Sequence, residues 1–429
     1  MRYFHGVLIF CLAPLFAMVA CTPISSQNQE TAEVNAQTVD LTIQAVDVWE
    51  RVRKGYAIPN LEGPLVDKWV AYYAARPEYI QRMADRSGKY LYYIVNEVNR
   101  RNLPTELALL PFIESAFDPN ALSSAQASGL WQFIPSTGTQ FKLEQNWWRD
   151  QRRDPIASTH AALDYLEYLF NYQGDWYLAF ASYNWGEGAV KRAMNQATRS
   201  GKTPQFENLR FPQETENYIP KLQAIKNIIA NPKRYSIVLP TINNEPYFVS
   251  IKKDKDIDLI VAAKLAHMSI EEFMALNPSF NQGVIMADHL SEIILPIDKA
   301  PTYLANLAEY EGDLTSWKKY SAREGESILA IAQKFNVSVD LLRQANDLNR
   351  RLRLLPMARS LVIPGATATV ATSTLKIDRS FKTQGHQVRF GETLVSIAYR
   401  YQISPQTLKD INNLKNNKVI VGQKILIPR

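Results

Sequence analysis

In this 429-residue chain, residues 107–138, LALLPFIESAFDPNALSSAQASGLWQFIPSTG, are the most informative about structure and chemistry. An apolar run that follows Pro104 ends at Glu114, which predicts a helix with the glutamate at its C-terminal end. Four apolar residues flank the carboxyl group: Phe112, Ile113, Ala116 and Phe117. Because such neighbours exclude water, the sequence predicts a raised pKa for Glu114, as a general acid working near neutral pH requires. The alternative is a glutamate at the exposed end of an amphipathic helix.

Four short motifs help to choose between these interpretations. They are, in order, ESAF at Glu114, GLWQF at Gly129, SYNWGEG at Ser182 and ETENYI at Glu214. Between residues 61 and 232, apolar residues recur every three or four positions, which predicts one mainly helical domain. In their order, the motifs resemble the soluble-lytic-transglycosylase-like catalytic domain of the lysozyme superfamily, over roughly residues 89–229.

This resemblance implies a mainly α, lysozyme-like catalytic domain of the α+β lysozyme superfamily, with Glu114 as its catalytic acid and base. The implied substrate-binding residues are Ser123 and Gln132 near the cut bond, Tyr183 and Asn184 along the cleft, and Tyr218 beside Glu114. The implied reaction cleaves the β-1,4 bond between N-acetylmuramic acid and N-acetylglucosamine in peptidoglycan and leaves a 1,6-anhydromuramyl end.

Two tryptophans depart from the family pattern. Trp131 replaces the more usual methionine, and Trp185 replaces a small residue. Either ring could stack on a sugar face or fill the core. We predict a core position for Trp131, whereas both interpretations stay open for Trp185.

Glycoside hydrolysis normally uses two carboxylates, and two further acidic residues are candidates for the second. Asp118 precedes Pro119, a pair typical of a helix N-cap with proline at the first helical position. Glu187 lies at helical spacing from Lys191 and is interpreted as structural. Neither is a convincing partner for Glu114, and the N-acetyl group of the substrate can assist the reaction instead.

The C-terminal part repeats itself. REGESILAIAQKFNVSVDLLRQANDL from Arg323 returns as RFGETLVSIAYRYQISPQTLKDINNL from Arg389. Each copy predicts strand, helix, helix, strand, with helix N-caps at Ser327 or Thr393 and at Ser338 or Ser404. Both copies resemble LysM modules, at residues 317–365 and 385–429, which implies binding of glycans that contain N-acetylglucosamine. Residues 366–384, rich in Ala, Thr and Ser, are predicted to be a linker.

Residues 236–300 are interpreted as a third, degenerate LysM-like copy. The segment has a helix pair at Ile257 to Asn277, with a capping box formed by Ser269 and Glu272. It lacks the Gly-Glu-Ser turn of the other copies. We therefore predict a LysM-like βααβ fold and leave glycan binding by this segment open.

The first residues predict export. Arg2 and His5 precede an apolar run that is too short for a stable membrane span, so residues 1–21 are interpreted as a signal peptide. The residues before Cys21 resemble a lipobox, which implies acylation of Cys21 and a lipid anchor at the periplasmic face of the outer membrane. The alternative is an ordinary signal peptide with a chance cysteine. Residues 22–60 are predicted to be a flexible tether.

The cysteine and histidine counts and the net charge limit which cofactors and binding partners the chain is expected to have. With two cysteines, one of them inside the signal peptide, and five histidines, the chain is expected to need no disulfide, metal or other cofactor. The formal net charge of +6 suits an acidic partner, but the basic residues form no nucleic-acid module. We therefore expect peptidoglycan glycan strands, and no nucleic acid, as the partner. Alternatives to a lytic transglycosylase are a lysozyme-type hydrolase and a non-catalytic wall-anchoring lipoprotein. Oligomeric state stays open.

Overall fold

The computed structural model describes residues 47–287, 292–365 and part of 383–428. Its N-terminal block is built mainly from α-helices, joined by turns and by longer loops such as residues 115–134 and 141–154, which confirms the predicted mainly α fold. These helices are α1 (Val48–Lys54), α2 (Pro64–Ala74), α3 (Pro77–Ser87), α4 (Leu91–Arg100), α5 (Leu110–Glu114), α6 (Pro135–Gln140), α7 (Pro155–Gln173), α8 (Trp176–Trp185), α9 (Glu187–Arg199) and α10 (Gln213–Ala230). Three 3-10 helices accompany them at Thr105–Leu109, Phe206–Asn208 and Pro232–Tyr235.

Local sequence signals fix the ends of the long helix α7. The Asp154 side chain accepts hydrogen bonds from the backbone N–H groups of Ile156 and Ala157, and Pro155 occupies the first turn. Gly174 ends the helix with a left-handed φ of 74°, a conformation that glycine adopts without a steric penalty. Asp175 then caps α8, so the two helices are joined by a tight turn.

Helix α10 lies at the centre of the block and packs against α1, α2, α5 and α8. Its buried apolar residues are Tyr218, Ile219, Leu222, Ile225, Ile228 and Ile229. Because α5 and α10 pack together, Glu114 and the ETENYI motif are brought to the same place although they are about a hundred residues apart.

The predicted tether is wrong for its last part, residues 47–60. Helix α1 is buried in the main core through Val48, Trp49 and Val52. The Trp49 indole donates to the carbonyl oxygen of Pro240 at 2.8 Å. Helix α1 is amphipathic, and part of its apolar face packs against residues near 240. Because these residues are distant in sequence, the composition of residues 47–60 alone does not indicate the contact.

The helical block also does not end at residue 232. Phe248, Leu276 and Ile294, all in the LysM-like segment, belong to the same buried core as the catalytic motifs. The Tyr90 hydroxyl donates to the carbonyl oxygen of Ala275 at 3.2 Å. The domain boundary predicted at 232 is therefore an internal interface, and removal of everything after Pro240 would expose part of the core.

The LysM-like segment and the first LysM module have the predicted strand, helix, helix, strand order. In the former, β1 (Phe248–Lys252) pairs antiparallel with β4 (Glu292–Pro296), and β2 (Ile257–Asp258) pairs with β3 (Val284–Ile285) around α11 (Leu259–Leu265) and α12 (Ile270–Leu276). Helix α13 (Ala300–Glu309) follows. In the latter, β5 (Lys318–Ala322) pairs with β6 (Arg359–Ile363) around α14 (Ile328–Lys334) and α15 (Val339–Ala345).

The predicted caps of these helices are confirmed. Ser269 and Glu272 form the reciprocal capping box at α12. Ser327 and Ser338 cap α14 and α15. In the second LysM module, β7 (Thr383–Gln387) pairs with β8 (Lys424–Pro428). The expected cap at Ser404 lies outside the described residues, as do Cys21 and the signal peptide.

A cluster of three tryptophans joins the helical block to the first LysM module. Trp147 and Trp148 from the block lie with ring centroids 6.0 and 5.2 Å from that of Trp317. The backbone N–H of Asn281 donates to the carbonyl oxygen of Trp148 at 2.8 Å, so the LysM-like segment contacts the same site. Residues 146–154 thus form the surface on which the C-terminal segments pack.

Among the described residues, we find no helix that combines the length and the apolar character needed to cross a membrane.

Candidate active site

The backbone around Glu114 is a short helix followed by a sharp reversal. Helix α5 ends at Glu114, as predicted, although a 3-10 turn at Thr105–Leu109 replaces the α-helix expected directly after Pro104. Ala116 and Phe117 then have positive φ values of 52° and 55°. This left-handed conformation costs roughly 1–2 kcal/mol for each non-glycine residue. The fully buried Phe117 ring packs edge-on against Phe112 at 4.7 Å, which offsets part of that cost.

The electrostatic environment of Glu114 is that of a general acid. Burial raises the pKa of its carboxyl to about 7. The Tyr218 hydroxyl donates a hydrogen bond to Oε1 and opposes this increase, while the negative charge of Glu214 adds to it and the positive charge of Lys221 reduces it. Near neutral pH, Glu114 therefore exists in comparable amounts of its protonated and ionised forms, so it can give and accept a proton.

Two tyrosines adjoin the carboxyl and stay protonated. Burial and the neighbouring charge of Glu114 raise the pKa of both Tyr183 and Tyr218 well above the ordinary value. The Tyr183 hydroxyl donates to the carbonyl oxygen of Trp131 at 2.8 Å. Asn184 follows on α8 and accepts a hydrogen bond from the Thr215 hydroxyl at 2.7 Å. The structure thus brings the SYNWGEG and ETENYI motifs together at Glu114.

Ser123 and Gln132 lie on the loop of residues 121–133, which follows the Glu114 turn. The Ser123 hydroxyl accepts from the backbone N–H of Ala127 at 3.0 Å. The Gln132 amide donates to the carbonyl oxygen of Gly129 at 2.9 Å. Both side chains are half-buried and are held by their own loop. The Ser115 hydroxyl donates to the carbonyl oxygen of Leu130 at 2.9 Å and so ties this loop to Glu114.

Sequence analysis missed Arg152, whose guanidinium group holds the loop of residues 121–133 through hydrogen bonds to its backbone. One guanidinium nitrogen donates to the carbonyl oxygens of Gln126 at 2.7 Å and Phe133 at 3.2 Å, and Asp150 pairs with the group at 2.7 Å. Gly129 has a φ of 86°, and a Cβ there would lie 1.9 Å from the carbonyl oxygen of Arg152. Only glycine fits at that position. The glycine of the GLWQF motif indicates a turn, but the sequence does not indicate that the Arg152 backbone packs against it.

The two departures from the family pattern have different environments. Trp131 is fully buried, and its indole donates to the Thr159 hydroxyl at 3.0 Å, which confirms the predicted core position. Trp185 is half-buried and packs edge-on against Phe211 at 6.1 Å. Trp185 therefore packs against the core and is also partly accessible, so both interpretations of this residue stay open.

Neither candidate second carboxylate contacts Glu114. The Asp118 carboxylate accepts from the backbone N–H of Asn120 at 2.9 Å within a turn, so the prediction of a helix N-cap is wrong. The reversal at residues 116–117 leads into a loop, and Pro119 does not begin a helix. Glu187 begins α9 and accepts from the Tyr165 hydroxyl at 3.2 Å, in keeping with the structural role predicted for it.

The described residues contain no group of three or more His, Cys, Asp or Glu side chains arranged to hold a metal ion.

Comparisons with known proteins match most of the chain. A Transglycosylase SLT domain matches residues 92–206, LysM domains match residues 320–364 and 386–428, and the LysM-like domain described for the lytic transglycosylase MltD matches residues 247–312. The third copy is thus a recognised LysM-like domain, as its fold suggested.

Individual relatives agree with these matches. The putative tributyltin chloride resistance protein of Alteromonas sp. (strain M-1) is 42% identical over 170 residues, which cover 39% of this chain and 80% of that protein. A solved structure of the Bacillus cereus spore cortex-lytic enzyme SleL is 22% identical and covers 27% of this chain and 23% of that chain. Its TM-score of 0.11 is too low to bear on the fold.

The membrane-bound lytic murein transglycosylase D of Escherichia coli (strain K12) is 33% identical over 379 residues, which cover 85% of this chain and 81% of that protein. This identity extends from the helical block through the LysM-like segment into the LysM modules. The chain therefore belongs to the membrane-bound lytic murein transglycosylase D family.

Proposed function

We propose that Glu114 is the single catalytic acid and base of this peptidoglycan lytic transglycosylase. The observation that supports this role most directly is a half-buried carboxyl with a pKa of about 7, hydrogen-bonded to the protonated phenol of Tyr218. We assign substrate contacts near the cut bond to Ser123 and Gln132, and the lining of the cleft to Tyr183 and Asn184.

The reaction proceeds in two proton transfers through Glu114. The protonated carboxyl first gives its proton to the glycosidic oxygen, and the bond from that oxygen to carbon 1 of N-acetylmuramic acid breaks. The resulting carboxylate then takes the proton of the 6-hydroxyl of the same muramyl residue, whose oxygen bonds to carbon 1. The ring closes readily because nucleophile and electrophile belong to one sugar. No water is consumed, and Glu114 ends the cycle protonated.

Product mass distinguishes this reaction from hydrolysis. We expect mass spectrometry of the muropeptides released from purified sacculi to show anhydromuramyl ends, each lighter by one water than the reducing end that a lysozyme-type hydrolase leaves. Reducing ends as the main product would show that water attacks carbon 1, and would reject the intramolecular attack by the 6-hydroxyl. No released fragments at all would favour the non-catalytic wall-anchoring alternative.

Replacement of Tyr218 by phenylalanine should shift the pH dependence of cleavage upward. The Tyr218 hydrogen bond lowers the pKa of Glu114, so its loss raises that pKa further. The first step needs protonated Glu114, and activity is lost as the pH rises through this pKa. The alkaline limb of the kcat/KM profile should therefore move to higher pH than in the wild type. A shift to lower pH would contradict the assigned hydrogen bond.

We infer that the LysM modules hold the enzyme on its glycan substrate. A chain that ends at Gly365 keeps the tryptophan cluster and lacks only the linker and the second module. Because linked sites raise the effective concentration of the substrate, we expect this chain to lose about tenfold or more of its activity on intact sacculi. The loss on short soluble fragments should be much smaller. Equal losses on both substrates would argue against this role.

We further infer that the chain is a lipoprotein of the cell envelope, anchored through Cys21 at the periplasmic face of the outer membrane. Support comes from the lipobox-like residues before Cys21 and from the membrane-bound relative. We expect the Cys21→Ser protein to leave the membrane fraction and appear in the soluble periplasmic extract, while keeping its activity on soluble fragments. Retention of Cys21→Ser in the outer-membrane fraction would exclude anchoring by this cysteine.

A further inference from the structure

Helix α7 presents two exposed tyrosine rings that have no role in the proposed reaction. Tyr168 and Tyr172 are 43% and 45% exposed. Their ring planes lie within 14° of each other, with centroids 6.1 Å apart. Because aromatic carbons in contact lie about 3.5 Å apart, a centroid separation of 6.1 Å shows that the two rings do not overlap fully. Neighbouring exposed aromatic rings on one helix face are a feature of binding surfaces.

The two rings continue a row that starts beside Glu114. Tyr165, one turn earlier on α7, lies 5.3 Å from the ring of Tyr183 and 6.4 Å from that of Tyr168, nearly parallel to the latter at 18°. Tyr183 lies near Glu114, whose charge adds to the effect of burial in raising the pKa of the tyrosine. From Tyr165 to Tyr172 the helix rises by roughly 10.5 Å, which is about the length of a disaccharide.

A charged side chain stands at the outer end of this row. The Lys191 ammonium, on α9, lies 5.8 Å from the ring centroid of Tyr172. Helices α7 and α9 are linked at the inner end by the hydrogen bond from Tyr165 to Glu187. The surface between them therefore has aromatic faces along one side and a cation at its far end. Pyranose rings stack their C–H faces on aromatic rings, and the peptides of the wall provide carboxylates for a lysine.

We propose that Tyr168, Tyr172 and Lys191 form a distal glycan subsite, which binds sugars of the same strand beyond those held at Glu114. This inference rests on the proposed function, because it assumes a glycan in the cleft. The tyrosine faces bind sugar rings, and Lys191 pairs with a carboxylate of a stem peptide attached to the strand. The subsite makes the enzyme prefer substrates long enough to reach from Glu114 to Tyr172.

The test compares short and long glycan strands in variants of the exposed rings. For the Tyr168→Ala/Tyr172→Ala protein, we expect the ratio of KM on short strands to KM on long strands to fall by about tenfold, the equivalent of about 1.4 kcal/mol. The Tyr168→Phe/Tyr172→Phe protein keeps both ring faces and should retain the wild-type ratio. Tyr247→Ala removes a tyrosine of similar exposure, 41%, in the LysM-like segment and serves as the matched control.

The outcomes separate this proposal from the proposed function. An unchanged ratio in the double alanine variant, or an equal fall in the Tyr247→Ala control, would overturn the subsite. If the wild type cuts no strand, the proposed function fails, and calorimetric binding of long strands by the Glu114→Gln protein still tests the subsite. In that background, the double alanine substitution should weaken binding about tenfold. Equal binding with and without it would again reject the subsite.

Discussion

Replacement of Glu114 by glutamine should lower the rate of peptidoglycan cleavage by at least about 10³-fold, since general acid–base catalysis alone contributes up to 10⁴. In the proposed mechanism, one side chain both gives and takes the proton, so its loss affects both steps. Glutamine is isosteric and can still accept the hydrogen bond from Tyr218. The measurement is the release of anhydromuropeptides from purified sacculi, and appreciable residual release would refute the assignment of Glu114.

The pH dependence of stability provides a control for this variant. Burial raises the pKa of Glu114 to about 7, so the folded protein keeps a proton that the unfolded chain gives up at lower pH. The wild type therefore loses stability as the pH rises from the ordinary carboxyl range towards 7. Glutamine has no such proton to lose. We expect Glu114→Gln and the wild type to have similar Tm values in acid, and the variant to have the higher Tm above pH 7.

Replacement of Lys226 by methionine should strongly destabilise the helical block. Lys226 on α10 pairs with Glu106 at 2.9 Å and donates to the carbonyl oxygen of Ile58 at 2.7 Å, and both charged side chains are buried. Glu106 also accepts from the backbone N–H groups of Ala57 and Ile58. Removing the lysine leaves a buried carboxylate without its cation, which typically costs about 3–5 kcal/mol. Denaturant unfolding of the two proteins measures the difference.

Two further variants test whether the burial of the Lys226–Glu106 pair causes the destabilisation expected for Lys226→Met. Lys54→Met removes an exposed lysine that pairs with Glu50 at 2.8 Å, and we expect a change within about 1 kcal/mol. The double variant Lys226→Met/Glu106→Gln removes both buried charges. It should recover part of the stability lost in Lys226→Met, because the uncompensated carboxylate is gone. If Lys226→Met destabilised the protein no more than Lys54→Met, the buried pair would contribute no more to the free energy of unfolding than the exposed pair does.

The features that the sequence predicted well depend on neighbouring residues. The helix ending at Glu114 follows from an apolar run, and the caps at Ser269, Ser327 and Ser338 follow from the residues directly after them. The core position of Trp131, which is buried, is predicted from its place in the GLWQF motif. Each of these predictions required only the properties of a short segment.

The features that sequence analysis missed depend on contacts between distant residues. Composition alone predicts a tether where helix α1 forms, because the contact of Trp49 is with Pro240, almost two hundred residues later. The role of Arg152 depends on carbonyl oxygens of a loop about twenty residues earlier. No periodicity or composition encodes such a pairing. The roles of Ser123, Gln132, Tyr183 and Asn184 remain predictions that substrate-bound experiments must test.

The two ends of the helical block lie side by side. The backbone N–H of Val48 donates to the carbonyl oxygen of Ile242 at 2.9 Å, and Asp47 forms an antiparallel bridge with Asn243. The chain thus enters the block at residue 47 beside the point where it continues into the LysM-like segment, and a pull on the anchor that we propose at Cys21 would reach the block there. If the LysM modules hold the wall, tension between membrane and wall would act on this backbone pairing together with the Trp147, Trp148 and Trp317 cluster and the core residues of the LysM-like segment, so that several contacts would share the pull.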